Sequence, residues 1–142
     1  MSIDEQVKKE EKKLLGQTKV IKIKNDTFTF DIAKVSVTDY LTIENEKIRL
    51  TAGNYSKLAM SVTTNAFTAA NIIDMIAIFR VLMPKIEDCV PTKDFTKLSV
   101  FDLREMLIIY IKEFSPWYNA WMKEFNSPFM PEEDNKGEKD GE

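Results

Sequence analysis

Residues 101–125 read FDLREMLIIYIKEFSPWYNAWMKEF, and this stretch holds seven of the chain's fifteen aromatic residues, both tryptophans among them. Fully burying one large apolar side chain stabilises a fold by roughly 1.5–3 kcal/mol. No other stretch of this length has as much to give to a core. Ser115-Pro116 divides it. Proline has no amide hydrogen to donate and disfavours the helical conformation in the residue before it. Serine suits an N-cap, and proline the first helical position. The expectation is therefore two consecutive helices, 101–114 and 116–126, bent at the Ser-Pro step. In the second, Trp117, Trp121 and Phe125 recur every four residues and share a face, with Tyr118 and Met122 on its flank. Such a stripe is either core or part of a docking surface for another protein, because exposed aromatic residues mark interfaces. Spacing does not choose between the two.

The clearest strand signal lies near the N-terminus. Residues 19–24 (KVIKIK) and 27–32 (TFTFDI) both alternate, and Asn25-Asp26 between them suits the two-residue loop of a tight hairpin. With Lys24 opposite Thr27, Ile23 faces Phe28 and Ile21 faces Phe30 on one side, while Lys22 and Thr29 fall on the other. A two-stranded hairpin is marginal in water by itself. Its apolar face must pack on helices, or its edges must pair with another chain, which is one route to a partner.

Ser36 is placed to cap a helix, with Asp39 as the acidic residue of its first turn. Val37, Tyr40, Leu41 and Ile48 give that helix its apolar face, with Ile43 and Glu44 at the edges, and Gly53-Asn54 ends it. A short helix over 55–63 follows, with Tyr55, Leu58, Ala59 and Val62 on one side. Thr68 then begins the most apolar helix, 69–83, in which Ile72, Ile76, Phe79 and Met83 form one face and Ile73, Met75, Ala77 and Leu82 cover much of the rest. A helix apolar nearly all round is buried, so this is the expected central helix against which 101–114 packs. Asp74 and Arg80 fall on different faces of it, each at an exposed edge or with a partner elsewhere in the fold. Pro84 stops the helix. Residues 85–100 read as a connector with a small turn around Asp94-Phe95 and Lys97-Leu98, after which Ser99 and Asp102 open the next helix. The fold class is α+β and mainly α: an N-terminal β-hairpin packed on a bundle of about four to five helices. The expected organisation is a charged helix over 1–17, one globular domain over 18–130, and a disordered acidic tail over 131–142, where PEEDNKGEKDGE is of low complexity.

Chemistry is sparse. The chain of 142 residues has no histidine, which removes the commonest general base and metal ligand. Its single cysteine, Cys89, has no histidine to activate it and builds neither a disulfide nor a thiolate metal cluster. The four glycines cannot form a phosphate-binding loop. Glu10-Glu11 and Glu132-Glu133-Asp134 sit in charged, solvated segments, and Glu44 and Glu46 point different ways on a helix. A non-enzymatic protein is expected, with no cofactor and no metal. A net charge of −3 argues against nucleic acid as a partner. In the hairpin, most lysines lie opposite Phe28 and Phe30, where a single-strand platform needs both on one face. The apolar run from Phe67 to Met83 is interrupted by Asp74 and Arg80, so no membrane association is expected. The lone cysteine and the charged N-terminal residues fit a cytosolic protein.

Three stretches together resemble the small tail-assembly chaperones of tailed bacteriophages: FDIAKVSVTDYLTIENEKIRLTAGNYSKLA at 30–59, AANIIDMIAIFRVLMP at 69–84, and LREMLIIYIKEFSPWYNAWMKEFN at 103–126. The Phe-x-Pro-Trp-Tyr-x-x-Trp end of the third is the most distinctive. The resemblance implies a non-catalytic protein in the cytoplasm of an infected bacterial host, one that binds tape-measure and tail-tube proteins and keeps the tape measure soluble until the tube polymerises around it. A homo-oligomer is compatible with that role. The aromatic stripe itself, rather than the resemblance, gives the expectation that Trp117, Trp121 and Phe125 make the partner contact, with Tyr118 and Met122 on the flank. The resemblance carries over no defined binding residue. Two other roles fit the same residues: a structural virion component of the tail, neck or baseplate, and a host-directed inhibitor.

Overall fold

A computed structural model describes residues 16–130. The charged helix expected over 1–17 lies outside the described residues except at its end, and the tail expected over 131–142 lies wholly outside them. Strands β1 (Thr18–Ile23) and β2 (Asp26–Asp31) form an antiparallel hairpin. A 3-10 turn (Ile32–Lys34) leads into α1 (Val37–Leu50), α2 (Tyr55–Met60), α3 (Thr64–Leu82) and the single turn α4 (Lys85–Asp88). A second 3-10 turn (Phe95–Lys97) precedes α5 (Val100–Ile109), a π-turn (Tyr110–Phe114), α6 (Ser115–Asn126) and a last 3-10 turn (Ser127–Phe129). The protein is α+β and mainly helical, with the hairpin packed on the helices.

The hairpin buries Ile21, Ile23, Phe28 and Phe30, the four residues its alternation selects. Its register differs from the expected one by two residues. Ile21 stands opposite Phe28 and Ile23 opposite Asp26, so the loop is Lys24-Asn25. Lys24 takes the left-handed backbone that such a loop requires, with φ 56°. A slip of two leaves every side chain on its own face. Hydrophobic patterning is therefore blind to it.

Helix α1 is capped as expected. Ser36 Oγ accepts from Asp39 N–H at 3.0 Å and the Asp39 carboxylate accepts from Ser36 N–H at 3.2 Å. Its buried face is not the expected one. Ile43 is the residue sealed in the core, whereas Val37, Leu41 and Ile48 face outward. Polar pairing holds the helix in this orientation: Lys47 reaches Asp74 of α3 at 3.7 Å and Glu46 reaches Arg80 at 3.8 Å. Helix α2 is shorter than expected, and Val62 is exposed beyond it. The polar β-branched run at 63–65 belongs to the next helix. Thr63 Oγ1 accepts from Ala66 N–H at 3.1 Å, so α3 begins at Thr64 rather than Thr68.

Helix α3 is the central element, with Met75 through Phe79 buried in succession. By length and composition alone it would also pass as a membrane span. Its two charges, however, are tied to neighbouring elements. Arg80 makes a forked contact with Glu87 of α4 at 2.9–3.0 Å and a further one with Asp94 at 3.2 Å. The same Glu87 carboxylate accepts from Phe95 N–H at 2.9 Å. These bonds fold residues 85–98 onto the core, so this segment is more than a connector: Ile86, Val90 and Phe95 are buried.

Ser99 caps α5 as expected, accepting from Asp102 N–H at 3.1 Å. Ser115 does not cap α6. It is helical itself (φ −57°, ψ −43°), and its N–H donates to the Tyr110 carbonyl, the wide bond of a π-turn. In an α-helix the Pro116 ring would clash with the carbonyl four residues back. The extra residue of the π-turn relieves that clash and carries the chain on, where a break was expected. It also turns both Tyr110 and Phe114 inward. Phe114 touches five rings: Phe30, Phe79, Tyr110, Trp117 and Tyr118, at centroid distances of 4.7–5.7 Å. Replacing Phe114 by Ala should cost about 3–5 kcal/mol of unfolding free energy. Phe101→Ala, in the same aromatic stretch but exposed, should stay within about 0.5 kcal/mol. Urea unfolding of the two variants measures both.

Candidate docking surface

Two polar clusters carry most of the charge chemistry within the fold, and both are structural. In one, the Tyr55 hydroxyl donates to the Asp74 carboxylate. Lys47 lies between Asp74 and Glu44, 2.9 Å from the latter, and over the Tyr55 ring. Burial pushes the Asp74 carboxyl above the usual carboxylate range, against the opposing pull of Tyr55 and Lys47. In the other, the bond to Arg49 holds the Glu46 carboxyl below that range, and Glu46, Glu87 and Asp94 surround Arg80. Every carboxylate here is already engaged by a cation or a backbone N–H. Among the described residues, no group of three or more His, Cys, Asp and Glu side chains is placed to hold a metal ion.

The aromatic stripe of α6 divides between core and surface. Trp117 and Tyr118 are each only 4% exposed and pack on Phe114. This corrects the expectation that they touch a partner: the π-turn rotates α6 so that its first turn faces inward. Trp121 and Met122 are half-buried, and Phe125 is 51% exposed. Both indole N–H groups, of Trp117 and Trp121, donate to the Gly16 carbonyl, at 3.1 and 2.8 Å. A carbonyl oxygen has two lone pairs and can accept both. Gly16, two residues ahead of β1, is thereby fixed to α6.

Trp121, Met122 and Phe125 form one wall of a groove of about 380 Å³, and Val35, Val37 and Tyr40 form the other, with Ile32 between. The Phe125 ring packs edge-on against Tyr40 at 5.4 Å and against Phe129 at 5.8 Å. The lining is overwhelmingly apolar. Its polar members are Ser36, whose hydroxyl is committed to the helix cap, the Tyr40 hydroxyl and Glu124. Leu41 and Ile48, outward on the same side of α1 as Val37, continue the apolar surface. A groove with this lining has room for apolar groups. The residues from the start of α1 were not anticipated as part of it, because the apolar stripe of that helix reads as core. The one available sign was that Val37 directly follows the cap.

Burial pushes the Tyr110 and Tyr118 hydroxyls well above the usual tyrosine range. Above about pH 10 the unfolded chain releases these protons while the folded chain keeps them, so stability falls as pH rises, by about 1.4 kcal/mol per pH unit for each group. Urea unfolding at a series of alkaline pH values should show this slope, and Tyr118→Phe should reduce it. On the surface side, Phe125→Ser should change stability by less than about 1 kcal/mol, whereas Trp121→Ala, which loses packing and a hydrogen bond together, should cost about 2–4 kcal/mol. No protein-family model matches the chain, and no curated protein or solved structure is significantly similar to it.

Proposed function

We propose that this protein is a non-catalytic binding factor of phage tail assembly, a chaperone that takes an apolar stretch of the tape-measure or tail-tube protein into the groove between α1 and α6. The observation that carries the reading is the exposed Phe125, packed edge-on against Tyr40 and Phe129 beside an apolar groove. Large aromatic residues half in and half out of a surface groove are the anchors on which protein interfaces concentrate their energy. The phage context comes from the sequence resemblance at 30–59, 69–84 and 103–126. A chaperone of this kind acts in the cytoplasm of the infected host, shields apolar surface of its client, and leaves when the tube forms.

Co-expression with the tape-measure protein tests this. The tagged chain should co-purify with the tape measure, and Phe125→Ser should reduce capture at least tenfold, about 1.4 kcal/mol or more of binding free energy, while keeping the thermal stability of the parent. The chain should be absent from purified particles when they are examined by mass spectrometry. Its presence there would instead make it a structural component of the virion, and stable co-purification with a host enzyme would make it an inhibitor.

A further inference from the structure

The chain enters the fold at one end of the apolar groove. The Gly16 carbonyl accepts from the Trp121 indole at 2.8 Å, and the Gln17 carbonyl accepts from Ile32 N–H at 2.8 Å. Trp121 and Ile32 both line the groove between α1 and α6. Gly16 takes a left-handed backbone, φ +64°, the conformation in which many helices end. Leu14 and Leu15 immediately precede it. Two residues span at most about 7 Å, so both leucines are tethered beside the groove lining.

The residues ahead of Gly16 also match the apolar surface into which the groove continues. In the helix expected over 1–17, Ile3, Val7, Glu10 and Leu14 share a face, at intervals of four, three and four. On α1, Val37, Leu41, Glu44 and Ile48 repeat those intervals, and the three apolar members face outward. Each stripe runs about 17 Å along a helix from its first member to its last. Helices with seams of this spacing pack against one another. The one carboxylate in the α1 stripe, Glu44, is already bonded to Lys47 at 2.9 Å. It brings no uncompensated charge to such a contact.

We infer that residues 1–15 fold back as a helix antiparallel to α1, with Leu14 and Leu15 in the groove against Trp121 and Phe125, and Val7 and Ile3 over Leu41 and Ile48. In the free protein the segment then covers the surface that takes the client. As regulation this rests on the proposed function; the contact itself does not. Tethering gives the segment an effective concentration on the order of 1 mM. With an intrinsic dissociation constant of about 0.1 mM, the groove is open in about one molecule in ten, and the apparent affinity for the client falls about tenfold. The stretch 131–142 suits an apolar groove less well, because its only apolar side chain is that of Pro131. The same segment of a second copy has the same shape but lacks the tether.

NMR of the full chain tests the contact with no client present. Nuclear Overhauser contacts should join the methyl groups of Leu14 and Leu15 to the Trp121 and Phe125 rings, and those of Val7 and Ile3 to Leu41 and Ile48. The double variant Leu14→Ser, Leu15→Ser should lose them. It should also raise the fluorescence of the apolar dye 1-anilinonaphthalene-8-sulfonate at least about twofold, although the variant is itself less apolar. Adding Phe125→Ser should lower that gain. The double variant should capture the tape-measure protein up to about tenfold more tightly than the parent does. Absence of the contacts in the parent, with amides 3–14 exchanging as fast as in a free peptide, would overturn the inference. So would contacts seen only between differently labelled copies, which put a second chain's segment in the groove, or contacts from 131–142 in their place. Equal capture by the parent and the double variant would overturn the covering role. If the double variant does not fold, the contacts in the parent decide. Contacts without tape-measure capture by any variant would sink the proposed function and leave the docked segment; capture by a parent that lacks the contacts would do the reverse.

Discussion

The fold turns on the contact of one ring with its neighbours. Phe114 lies where the hairpin, α3, the π-turn and α6 meet, and it touches an aromatic residue from each. Aromatic pairs in edge-on and offset arrangements add about 0.5–1.5 kcal/mol each beyond the area they bury. The π-turn is what delivers Phe114 to that point. Had the chain broken at Ser115-Pro116, the rotational phase of α6 relative to α5 would be set by a loop. Because the helix continues through a single wide turn, the phase is fixed by backbone bonds, and Trp117 and Tyr118 follow Phe114 inward. Phe125, two turns later, is carried around to the surface.

A second constraint decides which surface stays apolar. Helix α1 has more apolar residues than its contact with α3 can use, and it has charges that match those of α3. Arg80 and Asp74 are partly buried on α3, and leaving either without a counter-charge would cost more than exposing a few aliphatic side chains. Glu46 and Lys47 supply counter-charges only if α1 turns Ile43 and Leu50 inward with them, which sends Val37, Leu41 and Ile48 out. The apolar wall of the groove is thus a consequence of ion pairing on the opposite side of the helix. Polar satisfaction inside and apolar exposure outside are two aspects of one orientation.

The same reasoning explains what could be read from the sequence. Local devices were legible because their partners lie within a few residues: the Ser36–Asp39 capping box, the Ser99 cap, the alternation that buries Ile21, Ile23, Phe28 and Phe30, and the apolar centre of α3. Features set by distant partners were not. The hairpin register slips by two without changing any face, so patterning carries no information about it. The facing of α1 depends on Lys47 and Glu46 meeting side chains about thirty residues away in sequence, whereas periodicity weighs only apolar positions. The Ser-Pro step reads as a cap followed by a first-turn proline by local rules, yet the buried rings on either side favour a continuous path that those rules do not contain. The candidate surface was legible in half. The spacing of Trp121, Met122 and Phe125 marked one wall, and the mis-assigned facing of α1 hid the other.

How well such a groove binds depends on whether its walls must be assembled when a partner arrives. Ordering loose side chains at an interface costs roughly 0.5–1.5 kcal/mol apiece, and here much of that ordering is already in place. The Trp121 indole is held by its bond to the Gly16 carbonyl, which also receives Trp117 from the core side. Tyr40 sits on a helix whose first turn is closed by a reciprocal cap, and its ring is fixed against Phe125. Gly16 itself has a φ of +64°, where a side chain would be strained, so the carbonyl that locks both indoles is presented by a residue suited to that backbone. The groove is therefore pre-organised from beneath, by the aromatic core that defines the fold. Under the proposed function, a partner entering it would find Phe125, 51% exposed, as the principal group still free to adjust, and little of the surface would need remodelling.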